Sequence, residues 1–235
     1  MLTNPARIFP ATERDTSKTE WFCSYLTFNF GRYFREGKEA FGDLYLLNDD
    51  ELAGGRSLSM LIEQYSWVVL LPLAGAIKYK DSTGEEGLLE AGQVQFQLMK
   101  ANSSFELINP FVDESVNCLQ LWFRAVPVEN IPQALTSTYS INQSNGKLAT
   151  ISPVALQDNE LPFQLSIGKF AGGAQTIYRT THQSAFAFVL EGTFETAGRL
   201  LQARDGLALT NVDEIAMEAL GNDAVILLVD LPVVS

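Results

Sequence analysis

The feature that most constrains the fold is an internal repeat of short strand-like segments punctuated by glycine. A strand-like run reaching Gly75 continues as AIKYKDSTGEEGLLEAGQV, and a run reaching Gly192 continues as TFETAGRLLQARDGLAL, so that Gly92 corresponds to Gly206. Glycine tolerates the positive φ that tight turns between strands require. The repeat therefore predicts two domains of similar β topology, with a chance likeness between two series of hairpins as the alternative.

Strand-like segments occur along the whole chain, and helical periodicity is scarce. These segments are rich in Val, Leu, Phe and Tyr and are separated by Gly, Asp and Asn, which is typical of short strands. They include residues 21–30, 67–79, 93–99, 116–123, 161–170, 186–196 and 224–231. Strands this short and frequent predict an all-β fold, either a sandwich or a barrel.

The middle of the chain has a different composition. Residues 126–160 contain three prolines among Asn, Ser, Gln and Thr, with one short helix-capable piece, IPQAL, at 131–135. Such composition is typical of a connection between domains. The predicted domains are an N-terminal barrel at 1–126, a connection at 127–160 and a C-terminal barrel at 161–235.

The charge balance excludes one class of partner. Lys and Arg number 16 against 28 Asp and Glu, which gives a net charge of −12. Nucleic-acid affinity depends on basic side chains that replace counterions at phosphates, so we expect no nucleic-acid partner. The acidic excess favours solubility.

The apolar segments indicate neither export nor a membrane span. The first twenty residues lack the apolar core of a signal peptide, and the longest nearly uninterrupted apolar run, residues 67–77, is shorter than the about 20 residues that a spanning helix requires. Cys23 and Cys118 lie in apolar strand-like segments, which predicts two reduced, buried thiols. We expect a cytoplasmic protein with no membrane partner.

Four strings resemble the pirin family when taken together in their order along the chain. They are FGDLYLLNDDELAGG (41–55), KDSTGEEGLLEAGQVQ (80–95), INP (108–110) and LQLW (119–122). The resemblance covers residues 20–126 well and 160–233 more loosely. It implies a bicupin, that is, two jelly-roll β-barrels of the RmlC-like cupin fold packed against each other, of which the N-terminal one usually carries a metal.

The chain departs from the family at the metal ligands. The family's His-x-His motif lies fourteen and twelve residues before the glycine that matches Gly75, and these positions hold Leu61 and Glu63. Its His-x-Glu motif, shortly before an Asn-Pro pair, falls on Phe105 and Leu107. Iron, nickel or zinc needs about three or four N, O or S ligands, which one carboxylate cannot supply. We therefore expect no metal and no other cofactor, and the family's flavonol dioxygenase chemistry loses its metal.

The four substituted positions become candidates for a ligand pocket in the N-terminal barrel. Glu63 could hydrogen-bond or exchange a proton with a ligand there, or it could lie in solvent at an open barrel mouth. A carboxylate in a filled, dry barrel would need a partner, so Glu63 favours an apolar cavity. Tyr79 and Gln97 are predicted additional pocket contacts.

Two other features are weaker candidates. His182 is the only histidine, and by the repeat it lies between the positions equivalent to Glu63 and Trp67, which favours a surface or hydrogen-bonded histidine over a catalytic one. The acidic run at residues 49–51 is typical of a solvated turn. We identify no catalytic residue.

These observations predict a metal-free pirin-like bicupin. It would be non-catalytic, either holding a small organic ligand in its N-terminal barrel or engaging a protein partner as a regulator. The alternative is a quercetin 2,3-dioxygenase-like cupin oxidoreductase that uses a different set of ligands. The metal content of the purified protein separates the two.

Overall fold

The computed structural model describes residues 6–127, 134–141, 146–152 and 161–233, and these are largely β-strand. One short 3-10 helix spans Ala11–Glu13. The strands are β1 (Ala6–Phe9), β2 (Asp15–Lys18), β3 (Phe22–Leu26), β4 (Leu44–Leu52), β5 (Ser57–Ile62), β6 (Ser66–Ala74), β7 (Ala76–Asp81), β8 (Glu86–Glu90), β9 (Gln93–Met99), β10 (Ser103–Ile108), β11 (Val116–Arg124), β12 (Leu135–Thr138), β13 (Ala149–Thr150), β14 (Gln164–Phe170), β15 (Gln175–Arg179), β16 (Ser184–Glu191), β17 (Thr193–Thr196), β18 (Arg199–Gln202), β19 (Gly206–Thr210), β20 (Glu214–Ala219) and β21 (Ala224–Asp230).

The strands form two compact units. The N-terminal barrel comprises Asp15–Thr138, and the C-terminal barrel comprises Met1–Arg14 together with Tyr139–Ser235. Each unit contains one large and one four-stranded sheet, with antiparallel strand pairs throughout the described ladders. This architecture confirms the predicted all-β bicupin fold.

The two barrels share one strand topology, in which β4 to β11 of the first correspond to β14 to β21 of the second. The four-stranded sheets have the orders β5-β10-β7-β8 and β15-β20-β17-β18. The large sheets contain the matching orders β9-β6-β11-β4 and β19-β16-β21-β14, which additional strands extend at either edge. The sequence repeat therefore corresponds to a structural repeat.

The glycine correspondence holds at one turn and fails at the other. Gly75 and Gly192 both have a φ of 76° between matching strands, as a tight turn requires. Gly92 has a φ of 93°, whereas in the second copy the positive φ, 70°, belongs to Arg204. Gly206 instead begins β19, where a Cβ atom would lie only 2.5 Å from the ring of Phe186. That glycine is required by packing rather than by a turn.

The observed unit boundaries differ from the predicted 1–126, 127–160 and 161–235. β1 pairs with β19 of the C-terminal barrel, so the first strand does not belong to the barrel that follows it. β12 pairs with β9 of the N-terminal barrel, and β13 pairs with β14 of the C-terminal barrel, so the predicted connection contributes a strand to each. Most of the helix-capable piece at 131–135 lies outside the described residues.

Each barrel has its own hydrophobic core. The N-terminal core is formed by inward side chains of β4–β11 and includes Trp122, Phe105 and Met99. The C-terminal core is formed by the matching strands and includes Phe170, Phe194 and Met217. Within the described part of the chain, no helix has the length and apolar character needed to cross a membrane.

Candidate functional site

The side chains of β5 alternate between the barrel core and solvent. Leu58 and Met60 pack against the core and Ile62 is fully buried, whereas Leu61 is 57% exposed. Glu63 follows the strand and is also exposed. The structure therefore places Leu61 and Glu63 on the solvent side of β5, outside the barrel core, which for Glu63 agrees with the alternative of a solvated carboxylate.

Strand alternation accounts for the outward position of Leu61. Successive side chains of a strand point to opposite faces, so that Met60 and Ile62 face the core and Leu61 faces solvent. Positions 61 and 63 come from the family resemblance by counting back from Gly75, and that count does not determine which face of the strand a residue occupies.

The other two substituted positions do lie inside the barrel. Phe105 and Leu107 of β10 are 3% and 2% exposed. Phe105 pairs with Met60 and Leu107 pairs with Leu58, so that four apolar side chains, here called the central quartet (Leu58, Met60, Phe105 and Leu107), occupy the inward face.

Aromatic packing fills the space around the quartet. The ring centroid of Trp122 lies 5.8 Å from that of Phe105 and 5.7 Å from that of Phe30. The ring of Tyr45 approaches Trp122 edge-on at 6.2 Å. Contacts of this kind are stabilising aromatic pairs. These rings and the quartet pack against one another here, and Glu63 is not among the residues of this core.

The quartet does not fit a metal ion. Hydrocarbon side chains donate no electron pair, and the thioether of Met60 suits only soft metals. Among the described residues, no three His, Cys, Asp or Glu side chains lie close enough together to hold a metal. The single histidine, His182, precedes β16 in the C-terminal barrel.

A polar cluster lies deeper in the N-terminal barrel, on β4 and β11. Asp50 is fully buried and accepts a hydrogen bond at its Oδ2 from Nε2 of Gln120, whose Oε1 accepts one at 3.1 Å from Nε1 of Trp122. Burial raises the pKa of Asp50 to about 7. The Ser24 hydroxyl and the Gln120 amide lower the pKa, because they favour the charged form, but the effect of burial is larger. This site was missed, because the run at 49–51 was predicted to be a solvated turn.

In the described part of this barrel, three amide or carboxylate oxygens and two hydroxyl oxygens are buried without a hydrogen-bond partner. They are Oδ1 of Asn48, Oδ1 of Asp50 and Oε1 of Gln95, and the hydroxyls of Ser24 and Thr27. Asn48 and Gln95 belong to the same row of the sheet, since Asn48 pairs with Gln120, Gln120 with Leu70 and Leu70 with Gln95. Unpaired buried acceptors are costly, so their presence in one barrel marks it as the candidate binding unit.

A second polar chain extends from this row to one end of the barrel. Nε2 of Gln95 donates to Oε1 of Gln97 at 3.3 Å, and Nε2 of Gln97 donates to Oδ2 of Asp81 at 2.6 Å. Gln97 and Asp81 both line a cavity of about 290 Å³. Of the two predicted additional contacts, Gln97 thus lines a cavity, whereas Tyr79 packs against the core and its pKa is raised by burial.

The C-terminal barrel holds one polar constellation, centred on Asp230. Its carboxylate accepts hydrogen bonds from the backbone amides of Thr181 and His182 at 2.6 and 3.1 Å and from the hydroxyl of Tyr178 at 3.2 Å. Nδ1 of His182 lies 2.9 Å from Oδ1 of Asp230. Burial and the Asp230 charge raise the pKa of Tyr178. His182 is therefore a hydrogen-bonded histidine that fastens the turn before β16.

The two thiols differ in burial. Cys118 is buried, which raises the pKa of its thiol, and Cys23 is half-buried. Both are free cysteines. The prediction of two buried thiols therefore holds for Cys118, whereas Cys23 is only half-buried.

Comparisons with known proteins identify relatives of the same fold. Residues 162–231 match the model of the quercetinase C-terminal cupin domain. A putative quercetin 2,3-dioxygenase of Pasteurella multocida is 27% identical over 233 residues, which cover 94% of this chain and 97% of that protein. A pirin-like protein of Caulobacter vibrioides is 25% identical over 217 residues, which cover 89% and 92% of the two chains.

Solved structures agree with this assignment. The crystal structure of YhhW from Escherichia coli superposes with a TM-score of 0.84 at 21% identity and covers 98% of this chain and 99% of its own. A structure of bacterial pirin YhhW in complex with nickel(II) matches at a TM-score of 0.79 and 20% identity, over 98% and 100% of the two chains. The fold is that of a two-barrel cupin, and the second barrel matches a cupin domain model. Over most of its length the chain is similar to pirin-like proteins, in agreement with the resemblance of its sequence strings.

Proposed function

We propose that this pirin-like bicupin works without a metal, as a non-catalytic protein that binds a small organic ligand or a protein partner. The observation that carries the proposal is the central quartet. Phe105 and Leu107 stand at two of the four positions where the family resemblance implies metal ligands, and their partners on β5, Met60 and Leu58, are also apolar and pack against the core. Without donors at these positions the barrel has no means of activating oxygen or a flavonol through a metal.

The buried polar groups of the same barrel support a binding role. A purely structural barrel gains stability from an apolar interior, whereas buried amides and carboxylates lower it unless they are fully paired. Asp50 and Gln95 keep unpaired oxygens in this interior. Groups of that kind are expected where a protein contacts a polar ligand.

The relatives supply the competing function. The Pasteurella multocida protein carries the name of a quercetin 2,3-dioxygenase, and YhhW has been crystallised with nickel(II). By analogy this chain would be a dioxygenase-like oxidoreductase with another ligand set. Asp50 and Asp81 are the buried carboxylates nearest to such a role, but they lie on different strands with no histidine in the same barrel.

The cellular setting follows from the same features. We propose a cytoplasmic location, because Cys23 and Cys118 are free thiols, which fits a reducing compartment. The net charge of −12 favours a small molecule or a protein over nucleic acid as the partner.

A gain-of-donor variant tests the proposal. Leu58→His, Met60→His, Phe105→His and Leu107→Glu together place four donors on the inward face of β5 and β10, at the two family positions that face inward and at their cross-strand partners. The purified variant should bind nickel(II) in a titration followed by ligand-field absorbance, whereas the parent protein should show no such band. The exposed double variant Ser59→His and Leu61→His, on the opposite face of β5, is the control for adventitious binding.

Activity provides the second arm of this test. The parent protein should consume neither quercetin nor oxygen after incubation with iron(II), nickel(II), manganese(II), cobalt(II) or copper(II). Metal-dependent oxygen uptake with quercetin by the parent protein would overturn the proposal in favour of the dioxygenase.

A further inference from the structure

The cavity at one end of the N-terminal barrel contains a nearly buried carboxylate with no counter-charge. Asp81, the last residue of β7, is 8% exposed and lines the cavity together with Gln97 of β9. Asp81 makes no ion pair with any lysine or arginine in the described parts of the chain. A desolvated charge of this kind is costly without a cation.

Neutral donors hold this carboxylate in place without neutralising it. Oδ1 accepts from the backbone amide and the hydroxyl of Thr83 at 2.8 and 2.7 Å and from the amide of Glu85 at 3.0 Å. Oδ2 accepts only from Nε2 of Gln97 at 2.6 Å. Since each carboxylate oxygen offers about two lone-pair sites, Oδ2 retains one acceptor site.

The lining of the cavity is acceptor-rich and has a net negative charge. Glu85 provides a second carboxylate and Lys100 the one cationic side chain, beside the hydroxyl residues Ser82 and Ser103. Two carboxylates against one ammonium leave a local charge of −1, within a chain of net charge −12. This field attracts a cation and repels an anion.

The polar chain behind the cavity adds hydrogen-bonding capacity. Gln97 is tied on its far side to Gln95, which is fully buried and keeps an unpaired Oε1. The cavity volume of about 290 Å³ lies at the lower end of the range for small-molecule sites. The cavity side chains Asp81 and Gln97 lie on β7 and β9, whereas the Asp50 cluster lies on β4 and β11.

We propose that this cavity is a binding site for a small organic ammonium ion, with Asp81 as the anionic anchor, Glu85 as a supporting acceptor and Gln97 holding Asp81 in place. An alkylammonium group supplies both the missing positive charge and donors for Oδ2, at a cost in desolvation lower than that of a metal ion. The proposal rests on the proposed function, since it names the ligand class of a binding protein that needs no metal.

Calorimetric titration with 1,4-diaminobutane and ethanolamine tests the site, with 1,4-butanediol and ethylene glycol as uncharged probes of similar size. The amines should bind saturably and the diols should not. Asp81→Asn keeps the size of the anchor and removes its charge, so it should weaken amine binding at least about tenfold. Lys100→Gln removes a like charge from the lining and should tighten binding about threefold.

Matched variants guard against trivial explanations. Glu218→Gln removes one carboxylate from the exposed face of β20 in the C-terminal barrel, and it should leave amine affinity unchanged. Glu85→Gln lies in an exposed turn and should weaken binding even if Asp81→Asn fails to fold, which circular dichroism will reveal. Equal binding of diols and amines, no amine binding at 10 mM, or equal affinity in the Asp81, Glu85 and Glu218 variants would overturn the site.

Metal content measured on the same samples separates the two proposals. If the protein is free of metal and binds no amine, the ammonium site is contradicted and the proposed metal-free function is not. A stoichiometric metal contradicts the proposed function, whatever the amine titration shows.

Discussion

The two barrels have the same strand topology and different interiors. Among the described residues, the C-terminal barrel buries one carboxylate and no side-chain amide, and the carboxylate, Asp230, is held by several donors. The N-terminal barrel buries three carboxylates and five amides, on Asp49, Asp50 and Asp81 and on Asn48, Gln95, Gln97, Asn109 and Gln120. The more apolar interior of the C-terminal barrel shows that this topology does not require buried carboxylates and amides. Their presence in the N-terminal barrel lowers its stability, and such a local cost indicates a functional site.

The largest effect is expected from truncating the aromatic centre of either barrel. Phe105→Ala in the N-terminal barrel and Phe194→Ala in the C-terminal barrel should each cost about 3–5 kcal/mol, since both rings are buried and packed against another aromatic ring. All three tryptophans lie within Asp15–Thr138, so tryptophan fluorescence in urea reports the N-terminal barrel separately. A loss below about 1 kcal/mol at Phe105 would show an open cavity there instead of a filled centre.

The pH dependence of stability should differ between the barrels because of Asp50. Its pKa of about 7, against an ordinary value of 3.8, means that between these values the folded barrel holds a proton that the unfolded chain has lost. Stability should therefore fall by about 4 kcal/mol as pH rises through this window and level off above it.

The variant Asp50→Asn isolates that contribution. It should match the parent near pH 4 and exceed it at pH 8, in urea titrations followed by tryptophan fluorescence. Glu86→Gln, which removes an exposed carboxylate of β8, should run parallel to the parent. A parent whose stability does not decline relative to Asp50→Asn would refute the raised pKa.

Asp230, the buried carboxylate of the C-terminal barrel, should stabilise the fold through the hydrogen bonds that it accepts. Asp230→Ala leaves the amides of Thr181 and His182 and the hydroxyl of Tyr178 without their acceptor, and it should cost about 2–4 kcal/mol. His182→Ala removes one half-buried partner and should cost about 1 kcal/mol. Circular dichroism in urea measures both, and a larger loss for His182 than for Asp230 would assign the histidine a role beyond fastening the turn.

The smallest effects are expected at the exposed positions of β5 and the residues after it. Leu61→Ala and Glu63→Gln should each change stability by less than about 0.5 kcal/mol, since both side chains face solvent. Thermal melts with and without 1,4-diaminobutane check stability and binding together. A change in stability or in amine binding caused by Glu63→Gln would show that Glu63 contributes to the binding site.

The repeat around Gly75 and Gly192 was enough to predict the topology, because positive-φ turns and alternating strands leave a local signature. The pairing of β1 with β19 leaves none, since a terminal strand can extend any exposed sheet edge. The strand β5 was not predicted, and Leu61 was chosen by counting back from Gly75 along the family resemblance. In the structure Met60 faces the core and Leu61 faces solvent, because which face a residue occupies depends on the pairing of its strand.

The candidate site was less predictable than the fold. Gln97 was identified from its strand, but Asp50 in the run at 49–51 has the composition of a turn and only the ladder with β3 and β11 buries it. The residues next to Asp81 in the sequence give no sign of a site. Asp81 becomes a candidate only because residues from distant parts of the chain form a cavity around it. Burial of a charge is a tertiary property, which a single sequence does not encode locally.

The metal content of the purified protein tests the central claim most directly. Protein expressed in medium supplemented with iron, nickel, copper, manganese and zinc, and purified without chelators, should carry well under one equivalent of any of them by elemental analysis. The variant with histidines at 58, 60 and 105 and glutamate at 107 should approach one equivalent under the same conditions. A near-stoichiometric metal in the parent protein would contradict the account and favour the dioxygenase.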